Sequence, residues 1–302
     1  MIEVSNLTLT YPSGKGVFDL DFTIEDGKVT GYLGPNGAGK TTTIRALLGF
    51  MKPDSGQSAI NGRDCWRNAP EIQQTLGYIP GEISFPDKMR GDEYLRFMHQ
   101  MRGGRPNGAA RREKELLKRF ELQPAGRINK FSKGMKQKLG IVAAFMHDPQ
   151  VLILDEPTSG LDPLMQNRFV ELIREERGRG KTILMSSHSF EEVEKTCDHV
   201  LIIREGRMIH QAAADELKST RQRRYLLRAA DSSAAEDALS SAGFVFSREI
   251  GGSLDVTVPG RAIDRFIKLA AGLEIIDLDV RNQTLEELFM KYYGQDSGEG
   301  QS

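Results

Sequence analysis

The residues whose types and spacing can do chemistry begin at Gly34-Pro35-Asn36-Gly37-Ala38-Gly39-Lys40-Thr41-Thr42. The pattern is G-x-x-x-x-G-K-[ST], a loop that binds phosphate. Its glycines let the backbone curl so that successive N–H groups point at one oxyanion. A helix starting at the end of the loop adds the partial positive charge of its N-terminus at the same place. Lys40 can reach the β- and γ-phosphates of a nucleoside triphosphate. The Thr41 hydroxyl can ligate Mg²⁺, and Thr42 can add a phosphate contact.

A second group of residues complements that loop. Residues 151–154 are an apolar run ending in Asp155-Glu156. Two adjacent carboxylates at a buried strand end are costly without a cation. Asp155 can hold Mg²⁺ through a water, and Glu156 can polarise a water beside a γ-phosphate. His188 follows the next apolar run, 182–185, and can donate to the γ-phosphate. Tyr11 ends the first strand, where it can stack on a purine or pack on its neighbours. Ser132 and Gly134 lie in Phe131-Ser132-Lys133-Gly134-Met135, just ahead of an apolar helix. They form either an ordinary helix cap or a second anion site. Two anion sites in one chain imply two ligands, or one ligand held between two chains.

These groups need elements to position them. Residues 28–33 predict a short buried strand before the loop, and 42–48 have the apolar spacing of a helix behind it. Two alternating runs, 2–11 and 17–24, predict antiparallel strands joined by the turn Pro12-Ser13-Gly14-Lys15-Gly16. Residues 57–62 predict a hairpin, and 76–79 a buried strand ended by Pro80-Gly81. From 92 to about 146 the pattern is helical and charged, broken at 103–108. This block is an inserted helical subdomain, about 83–148. Helices at about 164–176 and 190–196 alternate with strands 151–154 and 182–185, and a hairpin turns about Glu205-Gly206. Strands alternating with helices, with ligand groups at strand C-termini, make an α/β doubly wound core. Past Thr220 the order becomes βαββαβ, a ferredoxin-like module plus a terminal helix at 284–293. The expected domains are therefore 1–220 and 222–294, with a polar, disordered tail at 295–302.

The chain has 302 residues, 41 Lys plus Arg and 42 Asp plus Glu, for a net charge of -1. Nothing global points to nucleic acid or to an anionic membrane surface. The only cysteines, Cys65 and Cys197, are far apart and suggest a reduced compartment. The N-terminus is not a signal peptide, and no apolar run reaches the length of a membrane span. The expectation is a chain that is soluble by itself and is held at any membrane by a partner.

Taken together, these motifs resemble those of the ATP-binding subunits of ABC transporters, over residues 1 to about 220. Residues 34–42 resemble Walker A, and 151–156 resemble Walker B with its catalytic glutamate. Ser159-Gly160-Leu161-Asp162 resembles the D-loop, His188 the H-loop and Tyr11 the A-loop. Residues 131–135 resemble the signature, with Lys133 and Met135 in place of its usual Gly and Gln. Ser132 and Gly134 are kept, so the anion site survives. The tail, ending Thr284-Leu285-Glu286-Glu287-Leu288-Phe289, resembles the C-terminal extension of ABC-2-type exporter ATPases, which include daunorubicin and bacitracin exporters. The resemblance implies a RecA-like parallel core, an antiparallel β subdomain and a helical subdomain. It implies ATP and Mg²⁺ as cofactors, and hydrolysis with Glu156 and His188 as catalytic residues. It adds Asp162 to the nucleotide-binding set. The Q-loop glutamine is replaced by Gly81, and Glu82 beside it either reaches the metal through a water or faces solvent.

The resemblance also implies partners. One is a separate transmembrane permease subunit. The other is a second copy of the chain, or a paralogous ATPase subunit, in a head-to-tail nucleotide sandwich at the cytoplasmic face of the cell membrane. No nucleic acid is expected. The alternative is a soluble, non-transport ABC ATPase acting on the ribosome or DNA, although such chains usually carry two cassettes or a long coiled coil.

Overall fold

A computed structural model describes residues 1–282 apart from 87, 104–107, 189, 220–222, 250 and 260–261. The terminal helix expected at 284–293 and the tail at 295–302 lie outside the described residues. The chain divides into two compact units, Met1–Ala214 and Asp215–Ser302.

In the first unit, β1 (Ile2–Thr10) and β2 (Gly16–Ile24) pair antiparallel around the predicted turn. Their buried residues, Ile2, Val4, Leu7 and Leu9 against Val17, Leu20, Phe22 and Ile24, follow the period-2 pattern of a half-buried sheet, interrupted by register shifts between Val4 and Leu9. β3 (Val29–Leu33) leads into the phosphate loop, and α1 (Lys40–Leu47) leaves it. β4 (Ser55–Ile60) and β5 (Arg63–Asp64) complete an antiparallel sheet of order β2-β1-β4-β5. A short helix, α2 (Ala69–Thr75), precedes β6 (Leu76–Ile79). The sequence reading has no helix there, because two turns of it carry only one buried residue, Ile72.

The helical block contains α3 (Gly91–Met101), α4 (Ala109–Arg119) and α5 (Lys133–Phe145). After it come β7 (Val151–Asp155), α6 (Pro163–Gly178), β8 (Thr182–Ser187) and α7 (Phe190–Thr196). The hairpin of β9 (His199–Arg204) and β10 (Arg207–Ala213) follows. Its turn holds Glu205 at φ 51° and Gly206 at φ 79°, both left-handed, as a two-residue hairpin turn requires. The core sheet has the order β10-β9-β3-β8-β7-β6, parallel except for β10 against β9. Every residue of β3, β7 and β8 is buried. Parallel strands covered on both faces read as continuous apolar runs, which is how they were visible in the sequence.

Bridging the division is α8 (Ala214–Ser219), a short helix that its composition did not announce. The second unit contains β11 (Arg223–Ala229), α9 (Ser232–Ser241), β12 (Val245–Arg248), β13 (Leu254–Val258), α10 (Ile263–Ala270) and β14 (Ile275–Asn282). Its sheet is antiparallel in the order β12-β13-β11-β14, the ferredoxin-like arrangement expected from βαββαβ. Tyr225, Phe244 and Phe266 stack at its core.

One half-buried histidine makes the first unit's stability pH-dependent. His147 follows α5 and donates from Nε2 to the Leu76 carbonyl at 3.3 Å. Burial, and then the Arg102 guanidinium, pull its pKa from 6.5 down to about 4; His99 acts in the same direction, and backbone hydrogen bonds at Leu76 and Ala143 oppose it. Between those two pH values the unfolded chain binds a proton that the folded chain refuses. Stability therefore falls as pH drops through 6.5 and levels off below about 4. Urea unfolding at about pH 7 and about pH 5 should show a loss of about 2 kcal/mol from this residue. His147→Gln keeps the donor and should remove that part of the loss.

Candidate functional site

Strands β3, β8 and β7 lie side by side and run parallel, so their C-terminal ends share one edge. The phosphate loop leaves β3 there, Asp155 ends β7, and His188 follows β8 directly. Three segments, the first more than a hundred residues of chain from the other two, thus converge through sheet order.

The loop is shaped by contacts that a larger residue would break. At Gly39 φ is 112°, and an added Cβ would lie 2.6 Å from Val17 Cγ1. Gly37 also has a positive φ, 81°, but open space around it. The Ala38 N–H donates to Pro35 O at 3.1 Å, which closes the loop, while Pro35 and Asn36 are exposed. Lys40 folds back along the loop. Its Nζ donates to Gly34 O at 2.8 Å and to Pro35 O at 3.2 Å, and lies 3.7 Å from Glu156 Oε1. The lysine is only 5% exposed, so its charge has few alternatives to these partners.

The two carboxylates are oriented separately. Thr41 Oγ1 donates to Asp155 Oδ2 at 2.8 Å, and Ser186 Oγ donates to Asp155 Oδ1 at 2.5 Å. The Glu156 N–H donates to Ser186 Oγ at 3.0 Å. Glu156 itself sits at φ 46°, a left-handed conformation uncommon for a residue with a Cβ. Its carboxylate is placed between Lys40 and His188, whose Nδ1 is 3.6 Å from Oε2. His188 is exposed and accessible from outside.

Neighbouring residues complete the edge. The Tyr11 hydroxyl donates to Met51 Sδ at 3.3 Å and accepts from Arg45 Nη1 at 3.3 Å and from Thr42 Oγ1 at 3.5 Å. The aromatic ring thus stands beside α1, next to the loop. Gly81 passes close to the carboxylate of Asp155: a Cβ there would lie 3.0 Å from Oδ2. Glu82, the neighbouring candidate, is exposed. Burial, and then the charge of Asp155, push the Tyr78 phenol up to about 12, with Arg45 opposing.

The remaining candidates gather elsewhere. Ser132 caps α5, accepting from Met135 N at 3.2 Å. Gly134 packs against the loop before α6, where a Cβ would lie 3.0 Å from Gly160 O. The side chain of Lys133 lies over Gly160. Asp162 caps α6 through Met165 N at 3.0 Å. No hydrogen bond or ion pair among the described residues joins Ser132, Gly134 or Asp162 to the phosphate loop. Sequence reasoning missed Ser186 as a member of the site. Only its registration opposite Asp155 in the parallel ladder reveals it, and no local pattern encodes that pairing.

Comparison with known proteins identifies the family. The family model described as "ABC transporter" matches residues 17–159. The bacitracin transport ATP-binding protein BcrA of Bacillus licheniformis is 35% identical over 304 residues, covering 97% of each chain. The daunorubicin resistance ATP-binding protein DrrA3 of Streptomyces coeruleorubidus is 32% identical, covering 98% of this chain and 96% of its own. A solved ATP-binding subunit of an ABC transporter has 33% identity and a TM-score of 0.68, over 72% of this chain and 92% of that one.

The two glycines should separate on substitution. Gly39→Ala combines a backbone penalty of about 1–2 kcal/mol with an overlap against Val17, whereas Gly37→Ala carries the backbone penalty alone. Thermal melting should show the larger loss for Gly39→Ala, and nucleotide affinity should fall with it.

Proposed function

The chain belongs to the ATP-binding proteins of ABC transporters, and from that premise we propose that it powers export by a separate membrane-spanning subunit. The observation that carries this reading is the convergence of Lys40, Thr41, Asp155, Glu156 and His188 on one edge of the parallel sheet.

The chain is an ATP hydrolase. In the proposed arrangement, residues 34–42 cradle the phosphates. Lys40 exchanges the carbonyls of Gly34 and Pro35 for phosphate oxygens, a charge-assisted replacement for two neutral contacts. Thr41 and Asp155 present hard oxygen donors 2.8 Å apart, a donor set that fits Mg²⁺ bound mainly by phosphate and water. When bound, Mg²⁺ supplies positive charge to the phosphate oxygens. Glu156 holds the attacking water and accepts its proton as the new oxygen–phosphorus bond forms and the bond to ADP breaks. His188, reaching the same space from β8, donates to the γ-phosphate. Tyr11 stacks on the adenine. Glu82, exposed beside Gly81, would hold a water of the metal's shell if its side chain turned inward.

Ser132, Gly134 and Asp162 serve the nucleotide of a second chain. The support is their separation from their own phosphate loop, together with the exposure of Ser132 at the N-terminus of α5. Glu156→Gln should leave ATP binding intact and accumulate an ATP-bound dimer. Size-exclusion chromatography with bound-nucleotide analysis checks this, and hydrolysis equal to wild type would remove Glu156 from its role.

The membrane subunit needs a surface. Among the described residues no helix is long and apolar enough to cross a membrane. Between the core and the helical block lies a cavity of about 460 Å³, lined by Phe50, Tyr78, Phe85, Tyr94, Met98 and Met101 among others. Phe50 is 52% exposed and Met101 64%. Such a groove suits the apolar face of a short helix from a cytoplasmic loop of the membrane subunit. In this reading the chain works at the cytoplasmic face of the membrane, held there by that subunit. Met101→Glu should reduce recovery of the chain with its membrane subunit, measured by co-purification from detergent. ATP turnover of the isolated chain should be unchanged, because the groove shares no residue with the phosphate loop.

A further inference from the structure

We propose that Ser186 is a positioning residue for hydrolysis: its single hydroxyl orients the carboxylate of Asp155 and fixes the backbone turn that aims Glu156. The inference rests on the roles given above to those two acids.

Strands β7 and β8 pair in parallel with Asp155 opposite Ser186. Residues paired in this way project to the same face of the sheet, so the hydroxyl is delivered beside the carboxylate. A serine hydroxyl has one proton to give and lone pairs to receive. Here the proton goes to Asp155 Oδ1 at 2.5 Å, and a lone pair receives the Glu156 N–H at 3.0 Å. Thr41 holds the other oxygen of Asp155. The carboxylate is thus gripped from both sides, by one residue of the phosphate loop and one of the neighbouring strand.

The second bond matters as much. Glu156 at φ 46° is in a conformation that persists only where its surroundings enforce it. The Ser186 hydroxyl is the acceptor for its N–H. Ser186 is fully buried and ends two residues before His188, so it acts through others rather than on the nucleotide. Its loss would leave Oδ1 of Asp155, a residue 1% exposed, without this donor. Asp155 would then be free to rotate about its side-chain torsions, and the turn at Glu156 would be free to relax.

The test uses the full chain as wild type, Ser186→Ala, Ser186→Thr and Glu156→Gln. Five quantities are measured: kcat and KM for ATP, affinity for a fluorescent ATP analogue, melting temperature, and Mn²⁺ affinity by EPR in the presence of a non-hydrolysable analogue. Ser186→Ala should lower kcat by about 10–100-fold, the usual effect of removing a partner that orients a metal ligand. KM and nucleotide affinity should change little, and Mn²⁺ binding should weaken. Ser186→Thr keeps the hydroxyl and should recover most of kcat and of the Mn²⁺ affinity. If the alanine chain does not fold, Ser186→Cys, which fills the space with a weak donor, is read in the same way. A kcat near wild type in the alanine variant overturns the proposal. So does loss of nucleotide affinity in parallel with kcat, or a threonine variant as impaired as alanine, since either would mark a packing role. Glu156→Gln is the control: if it hydrolyses like wild type, the assignment of the acids has failed, whereas an inert Glu156→Gln beside an active Ser186→Ala overturns this inference alone.

Discussion

Two carboxylates at the end of a strand buried along its whole length are the constraint that the rest of the structure answers. Asp155 is 1% exposed, and Glu156 follows it immediately. An uncompensated charge in such a place costs several kcal/mol, so each must meet donors or cations. Asp155 is met by two hydroxyls, from Thr41 and Ser186. Glu156 is met by Lys40 and faces His188. Every one of these partners comes from the end of a neighbouring parallel strand or from the loop that leaves one. The strand order β3-β8-β7 is thus part of the chemistry, because it decides which side chains can reach the acids.

The same constraint explains why the site is suited to a triphosphate. Lys40 is held by two neutral carbonyls and stands 3.7 Å from Glu156. A phosphate offers it a stronger, charged acceptor. When the lysine turns to that acceptor, Glu156 is released from its nearest cation and becomes available to a water. In the proposed mechanism, binding and readiness for hydrolysis are coupled through this one side chain.

Much of this was legible in the sequence, for definite reasons. The phosphate loop is a local pattern, complete within nine residues. The buried strands announced themselves as apolar runs, and the acids and His188 were found by standing at their ends. The ferredoxin-like unit followed from an alternation of periods. What was not legible depends on pairing between distant segments. Ser186 matters because it lies opposite Asp155, a relation between residues 31 apart that no spacing rule contains. The apolar groove is assembled from β6, α3, α5 and the segments beside them, and none of its residues looks unusual where it stands. Gly81 and Glu82 are adjacent in sequence, yet loop geometry alone decides that Gly81 lies against Asp155 and Glu82 at the surface. The short helix α2 buries only Ile72, too little to produce a period.

The central claim is that one nucleotide is held by two half-sites, the phosphate loop of one chain and the Ser132 helix end of another. Hydrogen exchange of the full-length Glu156→Gln chain, with and without Mg²⁺-ATP and over a range of protein concentrations, tests it directly. The account predicts protection of residues 34–42 at every concentration, and protection of residues 132–136 that appears only as concentration rises. Protection confined to 34–42 throughout, or protection of 132–136 that ignores concentration, would contradict it.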